Sequence, residues 1–280
     1  MSVLLGRALG IVECLADKAE GMTLTVLSQH LKLPKSAAHR LLATLVEAGY
    51  VCQDGITSRY QLTMRLPALA FRYLGNTGLT EVCQPVLDRL AAKTDELVRL
   101  AVVDGDELVW VARAQGADST IRYSPPIGRG ITLHATATGK IWLSSLDDER
   151  ALRIVLAKGF ETKPNYGRNA VRSPVALIDA LRETRERGFG IALDEGEFGS
   201  NAAAVAIKVV VESKSKVVGT ISVAGPMDRL PLARLEKIAI DLHAAADELA
   251  MLWPIRRHLV ESEGLGVEAE YRRQKRVVVA

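Results

Sequence analysis

The stretch Leu133-His134-Ala135-Thr136-Ala137-Thr138-Gly139-Lys140 holds the densest set of residues that could do chemistry. It follows Pro125-Pro126-Ile127-Gly128-Arg129-Gly130. A Gly-Lys pair after a Gly-rich run suggests a phosphate loop. The spacing rejects it, because the gap from Gly130 to Gly139 is too long and Ile141 stands where Ser or Thr would hold magnesium. Two readings remain. Small residues at a helix start expose backbone N–H groups, a seat for a carboxylate, or they let the helix start pack tightly.

Catalytic readings fare poorly. No Gly-x-Ser-x-Gly elbow is present, and His134 has no ligand-spaced His or carboxylate within a turn or two of helix. A lone His at a helix start reads first as a structural hydrogen-bonding group. Asp194 and Glu195 are adjacent, so on a strand they point to opposite faces and cannot pair as acid and base. No dinucleotide fingerprint follows a strand-like run. Cys14, Cys52 and Cys83 are too few for a disulfide framework and too widely spaced for zinc. Neither an enzyme, a metal nor a cofactor is expected.

The chain that positions these residues has 280 of them, 48% hydrophobic and 25% charged, ordinary values for a soluble protein of two domains. No run approaches the roughly 18 apolar residues of a membrane span. The first 18 residues carry Arg7, Glu13 and Asp17 within their apolar stretch, unlike a signal peptide. A reducing cytoplasm is the expected compartment. The net charge of +3 is unevenly spread. Residues 1–75 hold 8 basic and 5 acidic side chains, residues 76–253 hold 22 and 24, and residues 254–280 hold 6 and 4. A small basic module on a near-neutral body hints at a nucleic-acid contact.

The N-terminal pattern gives that hint a shape. Residues 4–16 have helical apolar spacing, Val26–Leu31 reads as a short second helix, and a third runs from Pro34 to about Ala48, with Gly49 as its stop. Ala37, Leu41, Leu45 and Ala48 share one side of the third helix, the expected core side. Ser36, His39 and Ala43 lie opposite, flanked by Lys35 and Arg40. Small residues permit close approach to a groove, and the donors reach phosphates and base edges. Asp54-Gly55 between two apolar runs signals a β-hairpin. Three helices and a hairpin make a winged helix-turn-helix, with Arg59 near the hairpin.

These residues resemble the IclR family of bacterial transcription regulators. The matching stretches are Arg7-Ala8-Leu9, Leu33-Pro34-Lys35-Ser36, His39-Arg40-Leu41-Leu42, Gly49-Tyr50-Val51 and Tyr60-Gln61-Leu62. Further on come the Leu133–Lys140 motif, Arg187-Gly188-Phe189-Gly190, Asp194-Glu195, Gly199 and Thr220–Pro226. The resemblance spans about residues 3–252. It implies that the helix at Leu33-Pro34-Lys35-Ser36 reads DNA, so Thr25, Lys35, Ser36, Ala37, His39, Arg40 and Arg59 become the expected DNA-binding residues. It also implies a small-molecule pocket in the C-terminal body. Ala137 and Thr138 would present backbone N–H groups to an acid, and Ser222 a hydroxyl. Tyr123, Ile131, Ala192, Asp194, Asn201, Ala202 and Ala224 would line the rest. Many relatives carry Cys at the position of Ala202 and Ser at that of Ala224. Losing both makes the pocket wider and less polar, which favours a bulkier, aromatic acid.

The fold expected is α+β. A winged helix-turn-helix (1–64) is joined by a linker helix (65–78) to a GAF-like effector domain with an antiparallel sheet (79–253). A basic tail, 254–280, follows, read as a disordered extension or a phosphate-binding arm. Residues 80–94 place Val82, Val86, Leu90 and Thr94 on one helical face. That stripe must bury on the body or on a partner, and the resemblance points to the partner. The helix from about 228 to 252 poses the same choice. The expected function is a DNA-binding regulator, dimeric or tetrameric, whose operator binding responds to a small organic acid. The rival is a small-molecule enzyme, or a ligand-binding protein with a vestigial helix-turn-helix.

Overall fold

A computed structural model describes residues 3–116, 131–160, 166–211 and 213–253. The expected pocket residue Tyr123 and the tail 254–280 lie outside the described residues. The chain forms two compact units, one through Thr77 and the other from Gly78.

The first unit begins with α1 (Val3–Ala16), α2 (Leu24–His30) and α3 (Lys35–Glu47). A hairpin of β1 (Val51–Gln53) and β2 (Tyr60–Leu62) follows, then α4 (Arg65–Thr77). Thr23 caps α2 by accepting the Val26 N–H, and Pro34 starts α3 where no amide hydrogen is needed. Ile11, Leu15, Leu27, Leu33, Ala38, Leu41, Leu42, Val51 and Tyr60 make one small core. The inward stripe of α3 is Ala38, Leu41 and Leu42, with Leu45 half-buried. Ala37, expected in the core, is only half-buried, and Ala48 is exposed. The helix turns so that both large leucines go inward, because their burial outweighs that of two alanines.

The second unit has α5 (Leu79–Thr94), β3 (Leu97–Asp104) and β4 (Glu107–Gln115). A 3-10 turn (Leu133–Ala135) then leads into α6 (Ala137–Leu143), α7 (Asp148–Lys158) and α8 (Pro174–Arg187). β5 (Gly190–Leu193), β6 (Ser200–Val211), β7 (Lys214–Pro226) and α9 (Leu232–Leu252) complete it. The five strands form one sheet, β4-β3-β7-β6-β5, with every pairing antiparallel.

Strand alternation divides the sheet into two faces. Val98, Leu100, Ala203, Val205, Ile207, Ile221 and Val223 face α5 and α9. The apolar stripes of those helices therefore bury on their own sheet. This corrects the expectation that the 80–94 stripe would serve a partner: Cys83, Val86, Leu87, Leu90 and Ala91 are all in the core. Helix α5 begins at Leu79 and carries Pro85 in its second turn, which removes one backbone hydrogen bond. The opposite face carries α6, α7 and α8, and their leucines and Trp142 close over Ala101 and Leu108.

Candidate nucleic-acid interface and small-molecule site

In the first unit the turn between α2 and α3 is fixed by buried Leu33 and by Lys32 in a left-handed conformation, φ 51°. The Leu33 N–H donates to the Ser28 carbonyl at 2.8 Å. This holds α3 with its inner face packed and its outer face bare. Lys35, Ser36, His39, Arg40, Ala43 and Thr44 are all exposed, and Thr25 on α2 is exposed beside them in sequence. The arrangement offers two cations and several neutral donors on small side chains, which suits a groove.

The wing differs from a tight Asp-Gly turn. Its strands end at Gln53 and restart at Tyr60, so residues 54–59 form the loop. The Asp54 carboxylate organises it, accepting from the Ile56 N–H at 3.1 Å, the Thr57 N–H at 2.6 Å and the Thr57 hydroxyl at 2.7 Å. Those bonds, that of the Thr57 amide first, hold its carboxyl below the usual carboxylate range. Arg59 is exposed, yet its guanidinium donates to the Gly21 carbonyl at 3.0 Å. It ties the wing to the α1–α2 turn.

In the second unit all seven residues of α6 are buried. The glycines of the motif are explained by packing. A Cβ on Gly139 would lie 2.2 Å from the Leu133 carbonyl oxygen, and one on Gly190 would lie 2.3 Å from that of Ala137. Only bare backbone lets α6 lie this close to the 3-10 turn and to β5. Ala137 and Ile141 rest on Ala192, Ala204 and Ala206, with Ala202 at the edge. Ala192 thus carries its methyl into the contact with α6. Thr136 caps the helix, accepting the Gly139 N–H at 3.1 Å. Helix geometry leaves the amides of Ala137 and Thr138 without intrahelical acceptors.

A buried ion pair anchors α6. The Lys140 ammonium donates to Glu195 Oε1 at 2.7 Å and Oε2 at 2.9 Å, and the Leu193 N–H donates to Oε1 at 3.2 Å. Burial pushes the Glu195 carboxyl upward, against the pull of Lys140. Beside it, Asp194 adopts φ 52°. Its carboxylate accepts the Gly199 N–H at 2.8 Å, and its own N–H donates to Asn201 Oδ1 at 3.0 Å. The Asn201 amide donates in turn to the Leu230 carbonyl at 2.9 Å. These polar groups, expected at a ligand, are committed to shaping the 194–201 loop.

Polar groups with no such commitment lie elsewhere. His134, between the Phe160 and Tyr166 rings, has Nε2 buried with no hydrogen-bond partner among the described residues, and burial pulls its pKa down. On β7 the hydroxyls of Thr220 and Ser222 are likewise buried and unpartnered among the described residues. A polar group left so in the folded protein costs about 1–3 kcal/mol, so each is open to a further partner. Ser222 pairs in register with Arg99 on β3 and Ala204 on β6, Thr220 with Ala101 and Ala206, and Ala224 with Leu97 and Ala202. The Arg99 guanidinium stacks on the Trp110 ring, 4.1 Å from its centroid. Ile131 is buried among the leucines of the same face. Among the expected pocket residues, Ser222, Ala224, Ala202 and Ala192 share one face of the sheet, and Ala137 packs against it.

Sequence reasoning missed Thr220, Arg99 and the Lys140–Glu195 pair. Thr220 was within reach, since it stands two residues before Ser222 on the same strand and must share its face. Arg99 and Glu195 lie far along the chain from their partners, and nothing local announces them.

Comparison with known proteins agrees with this architecture. Residues 71–251 match the family model described as bacterial transcriptional regulator IclR C-terminal, and residues 4–55 match the IclR helix-turn-helix domain. The HTH-type transcriptional regulator KdgR of Escherichia coli (strain K12) is 31% identical over 244 residues, 87% of this chain and 90% of its own. The transcriptional repressor IclR of the same organism is 28% identical over 251 residues, 89% of each chain. A crystal structure of an IclR homolog from Microbacterium hydrocarbonoxydans has the same fold, with TM-score 0.69, 23% identity, and 89% of this chain and 98% of its own covered. These relatives are named regulators and not enzymes. With a matched helix-turn-helix at one end and a matched C-terminal domain over most of its length, the chain belongs to the IclR family of DNA-binding transcriptional regulators.

Proposed function

We propose that this regulator binds operator DNA through α3 and is switched by a small organic acid held on the α6 side of its C-terminal sheet. The bare outer face of α3 carries the first half of the reading. Lys35 and Arg40 reach phosphates, Ser36 and His39 reach base edges, Ala37 permits close approach, and Thr25 and Arg59 flank them. Two subunits present two such helices to half-sites about 34–36 Å apart, or multiples of that. The functional divisions are a DNA-binding module at 1–64, a linker at 65–78, a sensor at 79–253 and a basic tail at 254–280. The protein acts as a homodimer or a dimer of dimers on catabolic genes, and repression is the outcome that the name of its relative, a transcriptional repressor, favours.

The second half rests on the buried hydroxyls of Thr220 and Ser222, which have no hydrogen-bond partner among the described residues. The Microbacterium homolog was crystallised with 4-hydroxybenzoate. Here Ala202 and Ala224 are register partners, so the two small apolar side chains form one patch, which suits an aromatic body. The acid acts by binding one arrangement of the DNA modules better than another, and a coupling of about 1–3 kcal/mol is the usual scale.

A gel shift tests both halves. DNA from upstream of the protein's own gene and of its neighbours is titrated with and without candidate acids. Retention of the DNA, altered by one of the acids, is expected. Failure to retain any of these fragments at low salt would defeat the reading.

A further inference from the structure

The geometry points to Arg99 as the anchor for the carboxylate of a monocarboxylic acid with an apolar body. This inference rests on the sensor reading above and deepens it. Arg99 sits on β3, on the α6 side of the sheet, directly across from Ser222 of the central strand β7 in the β3–β7 register. Cross-strand neighbours have Cβ atoms about 5 Å apart, so one small group can touch both. Thr220 is the next residue on the same face of β7, and its hydroxyl is as buried as that of Ser222, at 0% and 1% exposure. Two hydroxyls this buried whose oxygens meet no partner among the described residues are open to a further hydrogen-bonding group.

Trp110 fixes what Arg99 can do. The guanidinium carbon lies over the indole, which favours a cation there. Five N–H donors let it keep other contacts while one edge takes a carboxylate in bidentate fashion. The two hydroxyls of β7 then supply further donors to the same anion. Next along the face comes the row Leu97, Ala224, Ala202 and Ala192, apolar throughout. Beside it Ala137 and Ile141 of α6 cover Ala192, Ala204 and Ala206. A ligand with its acid at Arg99 and a hydrophobic remainder over Ala224 and Ala202 satisfies both halves. A neutral analogue loses the bidentate bond, so the acid-over-amide preference originates at Arg99 on β3.

Calorimetric titration of the full chain tests this with benzoate, 4-hydroxybenzoate, phenylacetate and pyruvate, and with benzamide as the neutral counterpart. Arg99→Met keeps an unbranched stem against Trp110 and removes the charge. Carboxylates that bind the wild-type protein are expected to weaken about 10–100-fold in this variant, the scale of a charged hydrogen bond. Benzamide affinity should stay the same, so the preference for benzoate collapses. Arg99→Lys, which keeps the charge and loses the fork, should fall between. Ser222→Ala and Thr220→Val should each weaken the acids about 3–10-fold, the scale of a neutral hydrogen bond. Should Arg99→Met fail to fold, Arg99→Lys and Ser222→Ala carry the same comparison. Carboxylate binding unchanged by substitution of Arg99 overturns the inference alone. A wild-type protein that binds none of the acids overturns the sensor reading and this inference with it.

Discussion

Helix α3 of the first unit and helix α6 of the second meet opposite surroundings. Of the thirteen residues of α3, three are buried, and its basic and polar face is open. All seven residues of α6 are buried, down to the charge of Lys140. An open face tolerates substitution without loss of fold, so its residues answer to the partner that docks there. A helix enclosed on every side answers to packing first, and a ligand must be recognised by groups that packing leaves over. On the proposed reading, the same chain reads DNA with a surface and senses a small molecule with its interior.

The sharpest way to break this contrast is to unbalance α6. Lys140→Met leaves Glu195 buried beside an apolar side chain, which should destabilise the second unit by about 3–5 kcal/mol at neutral pH. Denaturant unfolding measures it. The sign with pH follows from Glu195, whose carboxyl is already raised by burial and rises further without Lys140. A raised folded-state pKa means the folded form binds the proton more tightly, so the variant should regain stability as the pH falls and lose it as the pH rises. Pairing the change with Glu195→Leu should restore much of the loss. A single variant as stable as the wild type would show that the pair does not hold α6.

Gly139→Ala tests the other tie. The new Cβ meets Leu133 backbone atoms at 2.2 and 2.3 Å, and backbone cannot swing aside as a flexible side chain can. A loss of about 1–3 kcal/mol is expected, the ordinary scale of overpacking. On an open helix face Gly→Ala would instead stabilise. The α3 counterpart is Arg40→Ala. It should leave the unfolding midpoint unchanged, weaken operator binding about tenfold, and flatten the slope of log affinity against log salt by about one if the guanidinium meets a phosphate. Equal binding across several salt concentrations would remove Arg40 from the interface.

The contrast also governs what was legible in the sequence. α3 has two environments, so its polar and apolar residues separate at helical spacing and its start, stop and outer face could be read. The inner stripe was placed in part: Leu41 is buried as expected, but Ala38 and Leu42 take the places given to Ala37 and Ala48, because the pairs Ala37-Ala38 and Leu41-Leu42 offer two nearly equal faces and only packing chooses between them. The 3-10 turn and α6 have one environment, so periodicity carries nothing. The motif Leu133–Lys140 could be recognised but not explained until Gly139 was seen against Leu133 and Lys140 against Glu195, 55 residues away. Strand order was equally silent: β3 lies between β4 and β7, which brings Arg99 to Ser222 across more than a hundred residues. The alternation of β7 was the one local signal for the site, and it applies to Thr220 as fully as to Ser222.

The smallest expected effect belongs to Arg59, and it sharpens the boundary between surface and scaffold within the first unit. Its position in the wing and its charge suit a phosphate contact, but the guanidinium donates to the Gly21 carbonyl, a bond that holds the wing against the α1–α2 turn. A part-buried bond of this kind contributes about 1 kcal/mol. Arg59→Ala should therefore lower the stability of the first unit by about that amount. Arg59→Lys should restore little of it, because an ammonium on a shorter reach lacks the guanidinium's planar donors. If Arg59 acts through the scaffold, the salt slope of operator binding stays at the wild-type value in both variants and affinity falls only as far as the wing loosens. If it also touches phosphate, Arg59→Ala flattens the slope as Arg40→Ala does, while Arg59→Lys keeps it. Measuring unfolding and salt slope on the same two variants separates these roles, because one reads the bond to Gly21 and the other reads only charge at the DNA.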